Sequence, residues 1–315
     1  MLRSGAVDTR AIRVTDIGWK ARRLVDGVSA ASVVAALSRS LYLDVAGEIV
    51  WLGPPGSTLH SRAIVAEVLP RVDANTRIAM AFDLSAAREW RPSVLSSSVA
   101  VQILRDAGRR LVGAVDRLGS PDGFGALLVG RRPTFPLDHA TDDARRFLAA
   151  CARDEPGTAT TIAERLLGLG PGLTPAGDDL IGGAFFGITT REASNGPPKP
   201  PDARRAPAQL CPSSNDSERL PLGRRAATTW VEAAAVVRAR AAERTHRISA
   251  VLLGDLLDGD AYAPLHDLAG ALARDDASAA VDAAVRLTRI GHSSGWDMLT
   301  GFLGALDSIH VGARG

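Results

Sequence analysis

The chain has 315 residues, a formal net charge of +2 and 46% apolar residues. That is enough to bury a sizeable core as one large domain or two ordinary ones. So small a charge gives no ground for a nucleic-acid partner or a polybasic membrane contact. The basic residues are almost all Arg, with Lys20 and Lys199 as lysines. Cys151 and Cys211 make neither a disulfide framework nor a Cys-based zinc site. No apolar run suits a secretory leader or a membrane span, and a cytoplasmic protein is the expectation.

The first part of the chain reads as β-rich. Segments 41–45 and 49–52 flank Ala46-Gly47-Glu48 as a hairpin. Segments 64–68 and 78–84 are further strands, and 94–118 reads mainly as helix. The apolar run 124–129, bounded by Gly123 and Gly130, reads as another strand. From about Ala140 the spacing is helical: 142–152, 158–167 with Thr158 as cap, 180–188, 226–257 with a break near His246, and 264–273. Helices over 277–290, capped by Asp275 or Asp276, and 296–306 follow. The fold class expected is α+β, a mostly antiparallel β-rich part over 1–138 packed on a helical part over 139–315. The Pro-rich stretch 192–222 has few apolar residues to offset its ordering entropy. It reads as a mobile loop inserted between two helices.

Two segments of the helical part resemble one another. One is Gly170-Pro171-Gly172-Leu173-Thr174-Pro175-Ala176-Gly177-Asp178-Asp179-Leu180-Ile181-Gly182-Gly183, the other Gly291-His292-Ser293-Ser294-Gly295-Trp296-Asp297-Met298-Leu299-Thr300-Gly301. With Gly177 laid on Gly295, Asp179 falls on Asp297 and Gly183 on Gly301. Each is a polar, Gly-rich turn that opens an apolar helix. A helix start leaves N–H groups unpaired and carries a partial positive charge, which suits an anion.

In the first turn, Thr174 suits the N-cap and Pro175 the first helical position. Gly170, Gly172 and Gly177 let the backbone approach a ligand. Asp178 or Asp179 could support the helix end, hold a Mg²⁺ ion, or accept hydrogen bonds from a substrate amide. No other cofactor is indicated. In the second turn, Ser293 or Ser294 can cap the helix, and His292 could reach a ligand or pair with a carbonyl. Asp297, Thr300, Gly301 and Gly304 share one helix face. For the first turn the plainer alternative is a capped helix packed closely through Gly183 and Gly187.

Two weaker patterns remain. Gly291-His292-Ser293-Ser294-Gly295 matches the nucleophile elbow of serine hydrolases, but that elbow needs a preceding strand and here a helical pattern precedes it. Thr245 and Ser249 share a helix face and could line a pocket, although back-bonding or solvent exposure is the favoured reading. The histidines lack the spacing of a helical zinc site.

At Ser40-Leu41-Tyr42-Leu43-Asp44, at 168–179 and at Gly291-His292-Ser293-Ser294-Gly295 with Asp297, the chain resembles the bacterial AllH-like family. Its described member is a subunit of oxamate carbamoyltransferase from allantoin breakdown. The Pro-rich stretch departs from the family's compact pattern. The resemblance implies a cytoplasmic protein of purine catabolism, acting with an FdrA-like subunit and a second companion subunit. It also implies interconversion of oxamate plus carbamoyl phosphate with oxalurate plus phosphate. Such a transfer needs positioning and charge stabilisation more than covalent help.

On that footing a small anion would be held by Gly170, Gly172, Thr174, Gly177, Ser293, Ser294, Gly295 and Asp297. Asp178, Asp179 and His292 would be catalytic, the carboxylates at the amide end or on a metal and His292 donating to a developing oxyanion. A non-catalytic assembly subunit, with the Gly-rich helices at a subunit interface, is the competing expectation.

Overall fold

A computed structural model describes residues 11–79, 81–93, 99–194 and 227–309. Its first part is a curled sheet, a half-barrel. The strands are β1 (Ile12–Gly18), β2 (Ala30–Ala36), β3 (Leu41–Val45), β4 (Glu48–Gly53), β5 (Ala63–Ala66), β6 (Arg77–Ala79), β7 (Phe82–Asp83) and β8 (Arg88–Trp90), with helix α1 (Trp19–Val25) after β1. They lie in the order β6-β2-β3-β4-β5-β1-β7, and β8 also pairs with β1. Alternating apolar residues such as Val14, Ile17, Leu43, Leu52 and Ile64 turn to one side, where Ala21 and Val25 of α1 complete the core. The β3–β4 hairpin turns at Ala46 and Gly47, with φ of 53° and 90°. Positive φ at both positions gives the tight turn that matches strand twist.

The sheet is mixed. β1–β5, β2–β3, β2–β6 and β3–β4 are antiparallel, whereas β4–β5, β1–β7 and β1–β8 are parallel. Parallel pairing of the consecutive strands β4 and β5 needs a connecting loop, 54–62, and that loop carries His60, Ser61 and Arg62 towards the helical part.

The helices are α2 (Val101–Gly113), α3 (Thr141–Ala152), α4 (Pro156–Leu166), α5 (Ala176–Ser194), α6 (Trp230–Arg244), α7 (Arg247–Leu257), α8 (Ala263–Ala273), α9 (Ala277–Leu287) and α10 (Ser294–Ala305). Several differ from the sequence expectation. The run 124–129 is not a strand but part of a 3-10 helix, Gly123–Val129. It is buried on almost all sides, so its apolar pattern carries no period to separate helix from strand. Helix α4 starts at Pro156, which suits a first helical turn, and Thr158 lies inside it. The 180–188 helix runs on to Ser194, so 192–194 belong to α5, and the rest of the Pro-rich stretch, with Cys211, lies outside the described residues. The expected break near His246 separates α6 from α7, where His246 Nδ1 accepts from the Ile248 N–H at 3.2 Å. Asp276 caps α9 through the Ala279 N–H at 3.0 Å.

Helix α5 is buried all round from Ala176 to Ile188, and α10 from Gly295 to Ala305. Such helices lie at the centre of a fold. The two cross in close contact. A Cβ on Gly183 would strike the Met298 backbone, and a Cβ on Gly301 would strike the Leu180 backbone.

The sheet docks on the helices through charge and apolar contact. Lys20 Nζ lies 2.8 Å from Asp255 Oδ1 and 2.6 Å from Asp260 Oδ2. Arg62 Nε donates to Asp255 Oδ2 at 2.8 Å and Ser61 Oγ to the same oxygen at 3.3 Å. Beside this cluster, Tyr42 and Trp51 of the hairpin pack with Ile248 and Leu252 of α7 and with Leu173. Among the described residues, no helix is long and apolar enough to cross a membrane.

Candidate functional site

The two Gly-rich turns are copies in their bonding as well as their sequence. Gly177 N–H donates to Leu169 O at 2.9 Å, and Gly295 N–H to Ile290 O at 3.0 Å. Asp179 N–H donates to Pro175 O at 3.2 Å, and Asp297 N–H to Ser293 O at 2.9 Å. A Cβ on Gly177 would strike the Leu166 carbonyl at the end of α4, and one on Gly295 the Leu287 carbonyl at the end of α9. Thus α4–α5 and α9–α10 are two instances of one helix–turn–helix unit, and their turns meet. Thr174 Oγ1 and Ser294 Oγ are 3.1 Å apart across the junction.

This geometry corrects several expected roles. The N–H groups of Gly177 and Gly295 are bonded within their own turns, so they do not donate to an anion, and both glycines serve close packing. Helix α5 starts at Ala176, so Pro175 takes the position expected for Thr174, whose hydroxyl reaches across to Ser294 instead. Ser293 sits at the N-cap of α10, but its hydroxyl does not cap the backbone. Gly170 and Gly172 do adopt left-handed backbone, with φ of 114° and 98°. Gly172 is exposed, with open space where a Cβ would be.

Asp178 is fully engaged in holding the fold. Gly168 N–H donates to its Oδ1 at 2.8 Å, while Ser249 Oγ, at 2.6 Å, and the Thr245 hydroxyl donate to its Oδ2. The shared face of Thr245 and Ser249 therefore satisfies a buried carboxylate rather than lining a pocket or facing solvent. His292 is 97% exposed, with Asp122 Oδ2 at 3.5 Å from its Nε2. It does not enter the buried junction. Ser293 follows helix α9 instead of the strand that a nucleophile elbow requires.

Asp179 and Asp297 are different. They are 6% and 0% exposed. Asp297 Oδ1 accepts from the Phe124 N–H at 2.6 Å, and room for this carboxyl exists only because residue 123 is Gly. The Oδ2 atoms of both aspartates are buried and have no hydrogen-bond partner among the described residues. Buried polar atoms are nearly always paired, so two orphans at one junction call for an explanation.

Burial, reinforced by the charge of Asp297 and Asp178 and opposed by the hydroxyls of Ser294 and Thr174, holds the Asp179 carboxyl well above the usual range. Burial likewise raises Asp297 to about 8, against the pull of the Phe124 N–H and the Ser293 hydroxyl. Perturbed groups of this kind gather at functional sites, although structural clusters shift them too.

Sequence reasoning passed over two further members of the site. The chain has two tyrosines, and both bear on Asp179. Tyr42, from β3, is pushed up to about 12 by burial and then by the charge of Asp179. Tyr262, just ahead of α8, is raised by burial and then by Tyr42, Asp179 and Asp255. His60 stacks on Tyr262 with ring centroids 4.9 Å apart, and burial lowers it to about 4. The rarity of Tyr in this chain was the available signal. Among the described residues, no group of three or more His, Cys, Asp or Glu side chains is placed to hold a metal ion.

The family described as oxamate carbamoyltransferase subunit AllH matches residues 219–306. That span holds α6 to α10 and the second Gly-rich turn, but neither the first turn nor the sheet. No curated protein matches the chain, and neither does any solved structure. Over that stretch, somewhat more than a quarter of its length, the chain is similar to the AllH subunit family of oxamate carbamoyltransferase.

Proposed function

We propose that this chain is the subunit of an oxamate carbamoyltransferase-type enzyme that binds its small anionic substrate where the turns before α5 and α10 meet. The observation that carries the reading is the pair of buried, unpartnered Oδ2 atoms on Asp179 and Asp297 at two converging helix starts. The helix ends supply partial positive charge. The hydroxyls of Thr174, Ser293 and Ser294 supply neutral donors, and the sheet closes the junction with Tyr42. The chemistry would be carbamoyl exchange between phosphate and the amide nitrogen of oxamate, within cytoplasmic breakdown of allantoin. An FdrA-like chain and a second companion would complete the enzyme.

The exposed lips of the turns favour a second role at the same place. Pro171, Gly172, Gly291 and His292 are all exposed. A companion subunit seated over them would shield the junction from water and bring further groups to the substrate. His292 would then face that partner rather than the substrate's oxyanion.

The test is calorimetric titration of the full-length chain with oxamate, carbamoyl phosphate and inorganic phosphate, alone and after co-purification with its native partners. Saturable binding of any of them, weakened by Ser294→Ala, supports the reading. Absence of binding in both preparations would end it.

A further inference from the structure

We propose that the junction takes its anion through two neutral carboxyl groups, with Oδ2–H of Asp179 and Oδ2–H of Asp297 as hydrogen-bond donors. The ligand class that follows is a small anion with bare acceptor oxygens and no accompanying cation. This rests on the site reading above and specifies how that site selects.

The geometry assigns the proton to a particular atom. Asp297 Oδ1 already accepts from the Phe124 N–H at 2.6 Å. The proton of a neutral Asp297 therefore sits on Oδ2, the atom without a partner. A protonated carboxyl group is a donor at that atom, and an ionised one is an acceptor only. A carboxylic acid kept neutral by an apolar site so that it can donate is an established catalytic device.

Among the described residues, the groups that act on the pair include no positive charge to balance it in ionised form. Asp179 feels Asp297 and Asp178, both acidic, with the hydroxyls of Thr174 and Ser294 beside it. The phenols of Tyr42, from β3, and of Tyr262, ahead of α8, feel its charge, and burial holds both neutral. Asp297 feels Asp122, the Ser293 hydroxyl and the Phe124 N–H. His292, beside Asp122, points to solvent. Lys20 and Arg62 are committed to Asp255 on α7. Two uncompensated buried charges are strongly disfavoured in an apolar interior, and a proton on each removes that penalty. Protonated, the pair adds its donors to the positive helix ends instead of cancelling them.

Oxamate keeps one negative charge across the neutral and alkaline range, which makes it the probe. With the full-length chain, oxamate affinity should be level from pH 6 to about 8. It should then fall about tenfold per pH unit as one proton is lost from the site. At pH 9, the heat of binding measured in two buffers of different ionisation enthalpy should report uptake of one proton per ligand. Asp297→Asn keeps a donor at the same place, so its affinity at pH 9 should stay within about threefold of its value at pH 7. Asp297→Ala should weaken binding at every pH.

Binding that is level to pH 9.5 with no proton uptake would overturn this inference and leave the site reading standing. Binding that requires Mg²⁺ and is lost in Asp297→Asn would overturn it in favour of a cation between ionised carboxylates. If oxamate, carbamoyl phosphate and phosphate all fail to bind, both readings fall. The buffer measurement needs no variant, so it holds even if a substituted chain does not fold.

Discussion

Gly183 of α5 and Gly301 of α10 hold each other's helix: Gly183 lies against the backbone of Met298, and Gly301 against the backbone of Leu180. Exchanging the two repeats carries one contact into the other. With Thr174 beside Ser294 at one end and Gly187 against Phe302 further along, the helices run the same way and their starts converge.

Ala at either glycine should therefore push the helices apart, at a cost of about 1–3 kcal/mol for an overpacked core. The reciprocity predicts similar losses for Gly183→Ala and Gly301→Ala, read as urea midpoints at unchanged slope. A loss confined to one of the two would show that the contacts are not equivalent.

Asp178 yields a second expectation. Removing either hydroxyl donor leaves a buried carboxylate oxygen short of a partner, at about 1–3 kcal/mol each. Thr245→Val and Ser249→Ala should both destabilise the chain. Because they serve the same Oδ2 atom, the double variant should lose a different amount from the sum. Strict additivity in a double-mutant cycle would argue against a shared acceptor.

Much of this was legible in the residues. The hairpin at Ala46-Gly47 followed from alternation around a turn that needs positive φ, and the helix break at His246 from a lapse in helical spacing. The repeat could be read because close packing demands Gly at Gly177, Gly183, Gly295 and Gly301. The roles of the polar residues were less accessible. Nothing local distinguishes Asp178, which three donors from distant segments satisfy, from Asp179, which has an orphaned oxygen. That difference comes from Gly168, Thr245 and Ser249, brought together only by packing. Strands β1 and β8 escaped notice because their residues are of mixed polarity and they pair with distant segments, and β2 because its Ala-rich, nearly all-apolar run lacks the alternation that marks a strand. Tyr42 marked the family resemblance without revealing that it lies within reach of the charge of Asp179.

The junction between sheet and helices depends on Asp255. It is 5% exposed and holds Lys20, Ser61 and Arg62 at once. Asp255→Ala would leave Lys20 with Asp260 and Arg62 with Glu48 while removing the buried acceptor they share, at a cost of about 1–3 kcal/mol. Loss of less than about 1 kcal/mol in a denaturation series would show that the cations relax to water.

The dependence of stability on pH has a definite sign. Burial lowers His60 and His266 to about 4, so the unfolded chain protonates first. Their contribution falls as pH drops from about 6.5 towards 4. Asp297 is raised to about 8, so the folded chain holds its proton when the unfolded one does not. Its contribution is present at low pH and is lost as pH rises through about 8. Above about pH 7.5 the histidines have finished titrating, and stability should decline with rising pH through Asp297, with Asp179, which is also raised, adding a decline of the same sign. Asp297→Asn should remove the Asp297 share of that decline, and an unchanged slope in urea unfolding over this range would count against a neutral Asp297.

The mutual grip of α5 and α10 also bears on how such a chain could arise. An interface that maps onto itself when its halves are exchanged is the kind formed by a two-fold homodimer. A single helix–turn–helix unit of this design would meet a second copy of itself through the same glycines. Fusing two copies in tandem makes the association permanent and frees the halves to diverge. Here one half carries a paired acid, Asp178-Asp179, while the other has Trp296-Asp297 at the same places.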